Sequence, residues 1–323
     1  MSQFTEPNQF VLNMPAYSLS LAKAVMLLIV IVATTLYGVQ VLSVGNWGVD
    51  SDIGVYQLQF DRMQNFNNLY TQIDPGFYSM MLLYARLFDF PSFLISCYFL
   101  FFCSLIAPMY KVSNSAVLAV VFFLVCFVYP SYNSLTTLVL RQGVGFSILF
   151  FLSFYFYSDR RLLSVGKIMI AALFHASFLF YIPVLIAAVF IRQLSTLSIS
   201  WLVIALLYVA DIPMKITDFL PENIKVFYRV VSAGETDFIL GFKPLFLVLS
   251  CLPMLCLVLK SYYRQVKQDK HLMNVYQVFI LANGMAMLFS GIPYYDRIML
   301  FSWVLIPMIG VSFFSFLLSK TKV

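Results

Sequence analysis

Charge is what this chain lacks: of its 323 residues only 11% are Asp, Glu, Lys or Arg, while 62% are hydrophobic. Soluble domains carry about 25% charged residues. A water-soluble surface is therefore excluded, and soluble enzymes and nucleic-acid-binding modules with it. Histidine is scarcer still, at two residues. The five cysteines, Cys97, Cys103, Cys126, Cys251 and Cys256, lie inside apolar runs without a Cys-x-x-Cys pair. They read as small core hydrophobes and not as metal ligands. No P-loop or Rossmann glycine fingerprint occurs either, which removes the usual nucleotide sites.

What is present is a succession of apolar runs, near 24–44, 91–109, 115–132, 142–158, 162–174, 177–191, 196–212, 244–259, 274–291 and 298–318. Each is long enough to cross, or nearly cross, a hydrocarbon core of roughly 30 Å. They predict an all-α, polytopic transmembrane bundle of about ten spans. It forms a single integral domain over 1–323, with hydrophilic outer loops at 45–90 and 213–243. Ten crossings put both termini on one side, which then holds twelve bases and three acids, a balance of +9 against −3 opposite. The positive-inside rule makes that side, and both termini, cytoplasmic.

The run 162–191 is long for one span and short for two. A single crossing would place Arg264, Lys267 and Lys270 outside, so charge favours two short helices with His175 at the outer turn. Half-length segments of this kind are tolerated where they line a cavity. The stretch Tyr78–Phe88 is too short and too amphipathic to span, and predicts an interfacial helix.

The unusual residues gather on the outer face. Arg141 begins a span in Arg141-Gln142-Gly143-Val144-Gly145, where a cation opposes the helix dipole by ~0.3–1 kcal/mol. A docked anion removes that conflict, gripped by guanidinium and free N–H groups together; Gly143 and Gly145 would let it approach the backbone. An arginine snorkelling to the interface is the plainer alternative. Arg297 repeats the arrangement in Pro293-Tyr294-Tyr295-Asp296-Arg297, with Asp296 as a possible neutralising partner. His175, among apolar neighbours in Phe174-His175-Ala176-Ser177, has an ordinary pKa suited to proton transfer; a satisfied interhelical histidine is the alternative. Asp50-Ser51-Asp52 is an Asp-x-Asp that can hold a divalent cation, or simply an acidic loop start. No cofactor or metal is expected beyond that.

Read in order, Asp52-x-x-x-Tyr56, Asp74-Pro75-Gly76-Phe77, Arg141-Gln142-Gly143, Phe174-His175-x-Ser177 and Tyr295-x-Arg297 resemble the EpsG family, which is allied to Wzy-type polymerases of O-antigen and capsular polysaccharide. The resemblance implies a multi-pass bacterial inner-membrane protein of exopolysaccharide synthesis, similar to C-type membrane glycosyltransferases. The substrate would be a polyprenyl-diphosphate-linked oligosaccharide, polymerised at the outer face. On this expectation His175 and Asp52 are catalytic, as alternative acceptors of the proton from the attacking sugar hydroxyl. Arg141, Gln142, Arg297, Tyr56 and Tyr295 bind substrate, with Trp47, Tyr78 and Tyr294 as further sugar-stacking aromatics. Position 74 is Asp where many relatives carry Glu, which counts against a catalytic carboxylate there. Membrane lipid, a flippase and a chain-length regulator are the expected partners, and nucleic acid is not. A glycan ligase or a transporter of lipid-linked sugars are the alternative functions.

Overall fold

The computed structural model describes residues 21–43, 52–66, 74–113, 115–155, 161–217, 240–292 and 295–320. Among these residues every regular element is helical. The predicted runs all coincide with helices: Leu21–Ser43, Phe90–Ser113, Ala116–Val128, Leu140–Tyr155, Arg161–Ala172, Tyr181–Phe190, Leu194–Val209, Pro244–Cys256, Lys270–Leu288 and the pair Tyr295–Trp303 and Ile306–Lys320. Additional helices occupy what reads as hydrophilic sequence, namely Asp52–Phe66, Pro75–Leu87, Pro130–Thr137, Ile212–Thr217 and Lys260–Gln268. The stretch Tyr78–Phe88, expected to be helical, falls within and just beyond the helix Pro75–Leu87.

Ten full-length spans are not reached. Among the described residues, Phe90–Tyr110 and Tyr295–Lys320 are long and apolar enough to cross a membrane. The number rises to four if two bent pairs each count as one span: Val117–Val128 with Pro130–Thr137, bent by 65°, and Pro244–Cys256 with Lys260–Gln268, bent by 83°. Shorter apolar stretches of 10–17 residues are Leu28–Ser43 within the first helix, Leu140–Ser153, Leu163–Ala172, Ala176–Phe190 and Leu194–Val209. At 1.5 Å per residue they cover roughly 15–25 Å, less than the ~30 Å of a typical core.

Prolines and tyrosines explain the breaks. Pro130 starts the second helix of its pair, as its fixed φ and missing N–H favour. In the last helix, Pro307 lacks the N–H that would bond to the Trp303 carbonyl four residues back. The chain accordingly opens at Val304-Leu305, and tyrosines supply the missing donors. Tyr129 donates to the Trp303 carbonyl at 3.3 Å, Tyr132 to that of Val304 at 2.8 Å and Tyr181 to that of Phe301 at 2.7 Å. A bend in a low-dielectric interior survives only if its freed carbonyls are satisfied in this way.

Helix Phe90–Ser113 packs against Leu21–Ser43, Ala116–Val128, Leu140–Tyr155 and Ile306–Lys320. A second group sets Lys270–Leu288 against Tyr181–Phe190, Leu194–Val209 and Tyr295–Trp303. Asn283, fully buried, ties this group together. Its Oδ1 accepts from Trp201 Nε1 at 2.8 Å, and its Nδ2 donates to Ser250 Oγ at 2.8 Å and Ser302 Oγ at 2.9 Å. Between the groups, Phe146, Phe178, Tyr181 and Phe301 form an aromatic cluster with centroids 4.8–6.4 Å apart.

Candidate functional site

The turn Leu173–His175 separates Arg161–Ala172 from a 3-10 turn at Ala176–Phe180, which leads directly into Tyr181–Phe190. The run 162–191 is therefore two helices with His175 at the break. This break is held from outside. The Gly76 N–H donates to the Leu173 carbonyl at 2.7 Å, and the Ala176 N–H donates to Asp74 Oδ1 at 2.8 Å. A Cβ on Gly76 would sit 3.0 Å from that carbonyl oxygen, so glycine permits the approach.

Asp74 is the hub. Its backbone lies in the left-handed region, φ 61°, ψ 57°, which Asp tolerates better than most residues. Preceding Pro75 at the start of a helix, it looks like an N-cap, yet its side chain makes no cap hydrogen bond. Both carboxylate oxygens are engaged elsewhere: Oδ1 by Ala176, and Oδ2 by Arg141 Nη1 at 2.8 Å. Burial raises the Asp74 carboxyl above its ordinary range, against the pull of the Ala176 N–H and Arg141.

Arg141 is thereby held at two of its three nitrogens. Besides Asp74, its Nε donates to the Tyr56 hydroxyl at 3.3 Å, and its guanidinium carbon lies 5.9 and 6.0 Å from the ring centres of Tyr56 and Tyr78. A guanidinium has five N–H donors; among the described residues the Nη2 donors have no partner, and the side chain is 27% exposed. The cation is fixed, but not used up. Tyr56 is itself placed by helix Asp52–Phe66, whose Ile53, Tyr56, Phe60 and Met63 are all buried. Asp52 stands one helical turn before Tyr56 on the same face and acts on it electrostatically.

His175 faces the same centre. Burial first, then the charges of Arg141 and Arg297, lower its imidazole from the usual 6.5 to about 3. Its Nδ1 lies 2.6 Å from Ser177 Oγ and accepts from the Ser177 N–H at 3.2 Å. Arg297 is joined to the Arg141 helix through Gln142, whose Nε2 donates to the Arg297 carbonyl at 3.0 Å.

Asp52, Tyr56, Arg141, His175 and Arg297 thus converge, and Asp74, set aside on sequence grounds, links them. Three expectations need correction. Gln142 is 0% exposed, so it serves as a strut between two helix starts and not as a substrate ligand. Tyr295 is 1% exposed. Its hydroxyl donates to the Gly241 carbonyl at 2.7 Å and meets Tyr208 at 3.3 Å, while Lys243 Nζ covers its ring at 5.1 Å. It cannot stack on a sugar. Gly143 and Gly145 do not open the backbone to a ligand, because a Cβ would collide with the Leu135 carbonyl oxygen at the first and the Phe178 ring at the second. Both glycines serve close packing. Asp50, Trp47 and Tyr294 lie outside the described residues, so the Asp50/Asp52 cation site does too; among the described residues no cluster of three or more metal-ligating side chains occurs.

Fold and site together define an all-helical protein of membrane type, with a pre-oriented cationic centre assembled from distant helix starts. The chain belongs to the EpsG family, whose model matches residues 19–323, and so to a group of Wzy-like polymerases associated with exopolysaccharide. Neither a curated protein nor a solved structure matches it.

Proposed function

We propose that the protein polymerises polyprenyl-diphosphate-linked oligosaccharide units at the outer face of the bacterial inner membrane. The observation that carries this reading is the geometry of Arg141, whose Nη1 is held by Asp74 and whose Nε is held by Tyr56, while among the described residues its Nη2 donors have no partner. A cation so prepared, close to Arg297 and to a neutral imidazole, suits a diphosphate, whose two phosphates offer oxygens to both arginines.

In the reaction the acceptor hydroxyl oxygen bonds to the anomeric carbon of the donor sugar. The bond from that carbon to the phosphate oxygen breaks, and its electron pair leaves with the diphosphate. The hydroxyl proton passes to a base, for which Asp52 and His175 are the candidates. Arg141 and Arg297 stabilise the charge developing on the leaving group, where fixed donors contribute most. Tyr56 and Tyr78 border the guanidinium and, being buried themselves, hold it in place and do not stack on the sugars. No nucleotide takes part.

The accompanying topology has ten crossings, several by helices shorter than the core, with both termini cytoplasmic. The charge asymmetry supports it. The loops 45–90, 133–141, 213–243 and 292–297 then face the periplasm. A cysteine at Ser232, in a background without native cysteines, should react with an impermeant reagent once only the outer membrane is opened; reaction only after lysis overturns this orientation. The function is tested in a deletion strain. One repeat unit per lipid identifies a polymerase, loss of all exported glycan identifies a flippase, and normal-length glycan left on its lipid identifies a ligase.

A further inference from the structure

His175 is held in a way that decides which of its nitrogens carries a proton. It occupies the N-cap position of the turn Ala176–Phe180, and the Ser177 N–H donates to its Nδ1 at 3.2 Å. A backbone N–H can only donate, so Nδ1 must present a lone pair. Ser177 Oγ lies 2.6 Å from the same nitrogen, and with that lone pair in place the hydroxyl is the donor. A neutral imidazole with a bare Nδ1 bears its hydrogen on Nε2.

We infer that Ser177 is a positioning residue that locks His175 as the Nε2–H tautomer, so that the imidazole meets the substrate as a neutral hydrogen-bond donor and not as a base. The other tautomer would turn an Nδ1–H toward the Ser177 N–H and lose that hydrogen bond, while the hydroxyl would have to reverse from donor to acceptor. The imidazolium would meet the same backbone N–H, with the guanidinium groups of Arg141 and Arg297 nearby. Asp74, the carboxylate nearest in the network, is already engaged by Arg141 and the Ala176 N–H and does not compensate. A neutral N–H beside two arginines is suited to the oxygens of the anion they hold. The proton of the attacking hydroxyl then goes to Asp52. The inference rests on the polymerase reading for the identity of that anion, whereas the tautomer lock stands on the hydrogen bonds alone.

The experiment uses the full-length protein in lipid nanodiscs, labelled with ¹⁵N-histidine. There are only two histidines, and a His271→Gln variant leaves His175 as the sole signal. Between pH 6 and 8 the expected spectrum shows a protonated Nε2 and an unprotonated, hydrogen-bonded Nδ1. Ser177→Ala should move Nδ1 toward an unbonded nitrogen, and Ser177→Thr should restore it. Inorganic pyrophosphate should shift Nε2 in the wild type. In polymerisation, Ser177→Ala should lower kcat about tenfold or more, the lower part of the range for a positioned proton donor or acceptor, with KM within about twofold. An Nδ1–H tautomer, an imidazolium at pH 6, or nitrogens unmoved by Ser177→Ala would overturn the lock. Pyrophosphate that binds through Arg141 yet leaves Nε2 unshifted would overturn the donor role. Absence of all pyrophosphate binding, with the tautomer still locked, would count against the diphosphate clamp and leave the lock supported.

Discussion

Asp74→Asn should act in opposite directions on stability and on anion binding. Asparagine keeps the oxygen that accepts from Ala176 and tolerates the left-handed backbone, so the substitution removes mainly the charge facing Arg141. Asp74 is 2% and Arg141 27% exposed, 2.8 Å apart. Breaking a fully buried pair costs ~3–5 kcal/mol and an exposed one ~0–1 kcal/mol; for this half-sheltered pair about 2 kcal/mol is expected. That corresponds to a heat-denaturation midpoint lower by about 3 °C. In the double cycle with Arg141→Gln the coupling should again be about 2 kcal/mol, because each single change strands the other partner.

The same carboxylate competes with any anion for Arg141. Removing it should tighten inorganic pyrophosphate by about tenfold, with about 30-fold as the ceiling if the whole 2 kcal/mol is recovered. The assays are size-exclusion fluorescence after heating in detergent, and calorimetric titration with pyrophosphate. Weaker pyrophosphate binding in Asp74→Asn, or a coupling below about 0.5 kcal/mol, would refute the idea that the Asp74 charge both steadies Arg141 and weakens its hold on an anion.

Arg141→Lys and Arg297→Lys keep charge but lose the fork, so each should make markedly shorter glycan; normal chain length in both corresponding Ala variants, correctly inserted, would remove the clamp. Gly143→Ala places a methyl against the Leu135 carbonyl oxygen; a backbone atom yields poorly, so loss of folded protein is expected, of about 1–3 kcal/mol or more, read as yield after solubilisation. Tyr295→Phe strands the Gly241 carbonyl, costing about 1–3 kcal/mol, and should leave activity per folded molecule near normal; a raised KM with unchanged stability would return Tyr295 to the binding site. For His175 the folded imidazole titrates near 3 and the unfolded one near 6.5. The folded state therefore binds fewer protons between those values, and its contribution, complete above about 6.5, falls as pH drops. At pH 5 the loss is about 2 kcal/mol, and His175→Gln should flatten that part of the heat-stability profile.

How much of this could be read in the chain depends on the distance over which the signal acts. Apolar runs located the helices well, because each must hide its own backbone in a dry surrounding, whatever its neighbours. Helix Asp52–Phe66 was passed over because its mean hydropathy is low, although Ile53, Tyr56, Phe60 and Met63 recur at helical spacing and are all buried. That signal was present; the assumption that polar sequence means loop concealed it. Asp74 was illegible for a different reason. Asp before Pro is satisfied locally as a helix cap, and only the arrival of Ala176 and Arg141, 102 and 67 residues away, turns its oxygens elsewhere. Gly143 and Gly145 show the same ambiguity: a missing side chain announces that something comes close, but not whether it is a ligand, the Leu135 carbonyl or the Phe178 ring.

The motif Tyr295-x-Arg297 is the clearest case of adjacency misleading. Residues two apart on a helix project about 200° from each other. One motif therefore serves two places. Tyr295 closes onto Gly241 and Tyr208 in the core, while Arg297 puts its charge within reach of His175. Two residues this close in sequence can thus divide between the candidate site and the core that fixes the helix presenting it, and the 3.6-residue period is what separates them.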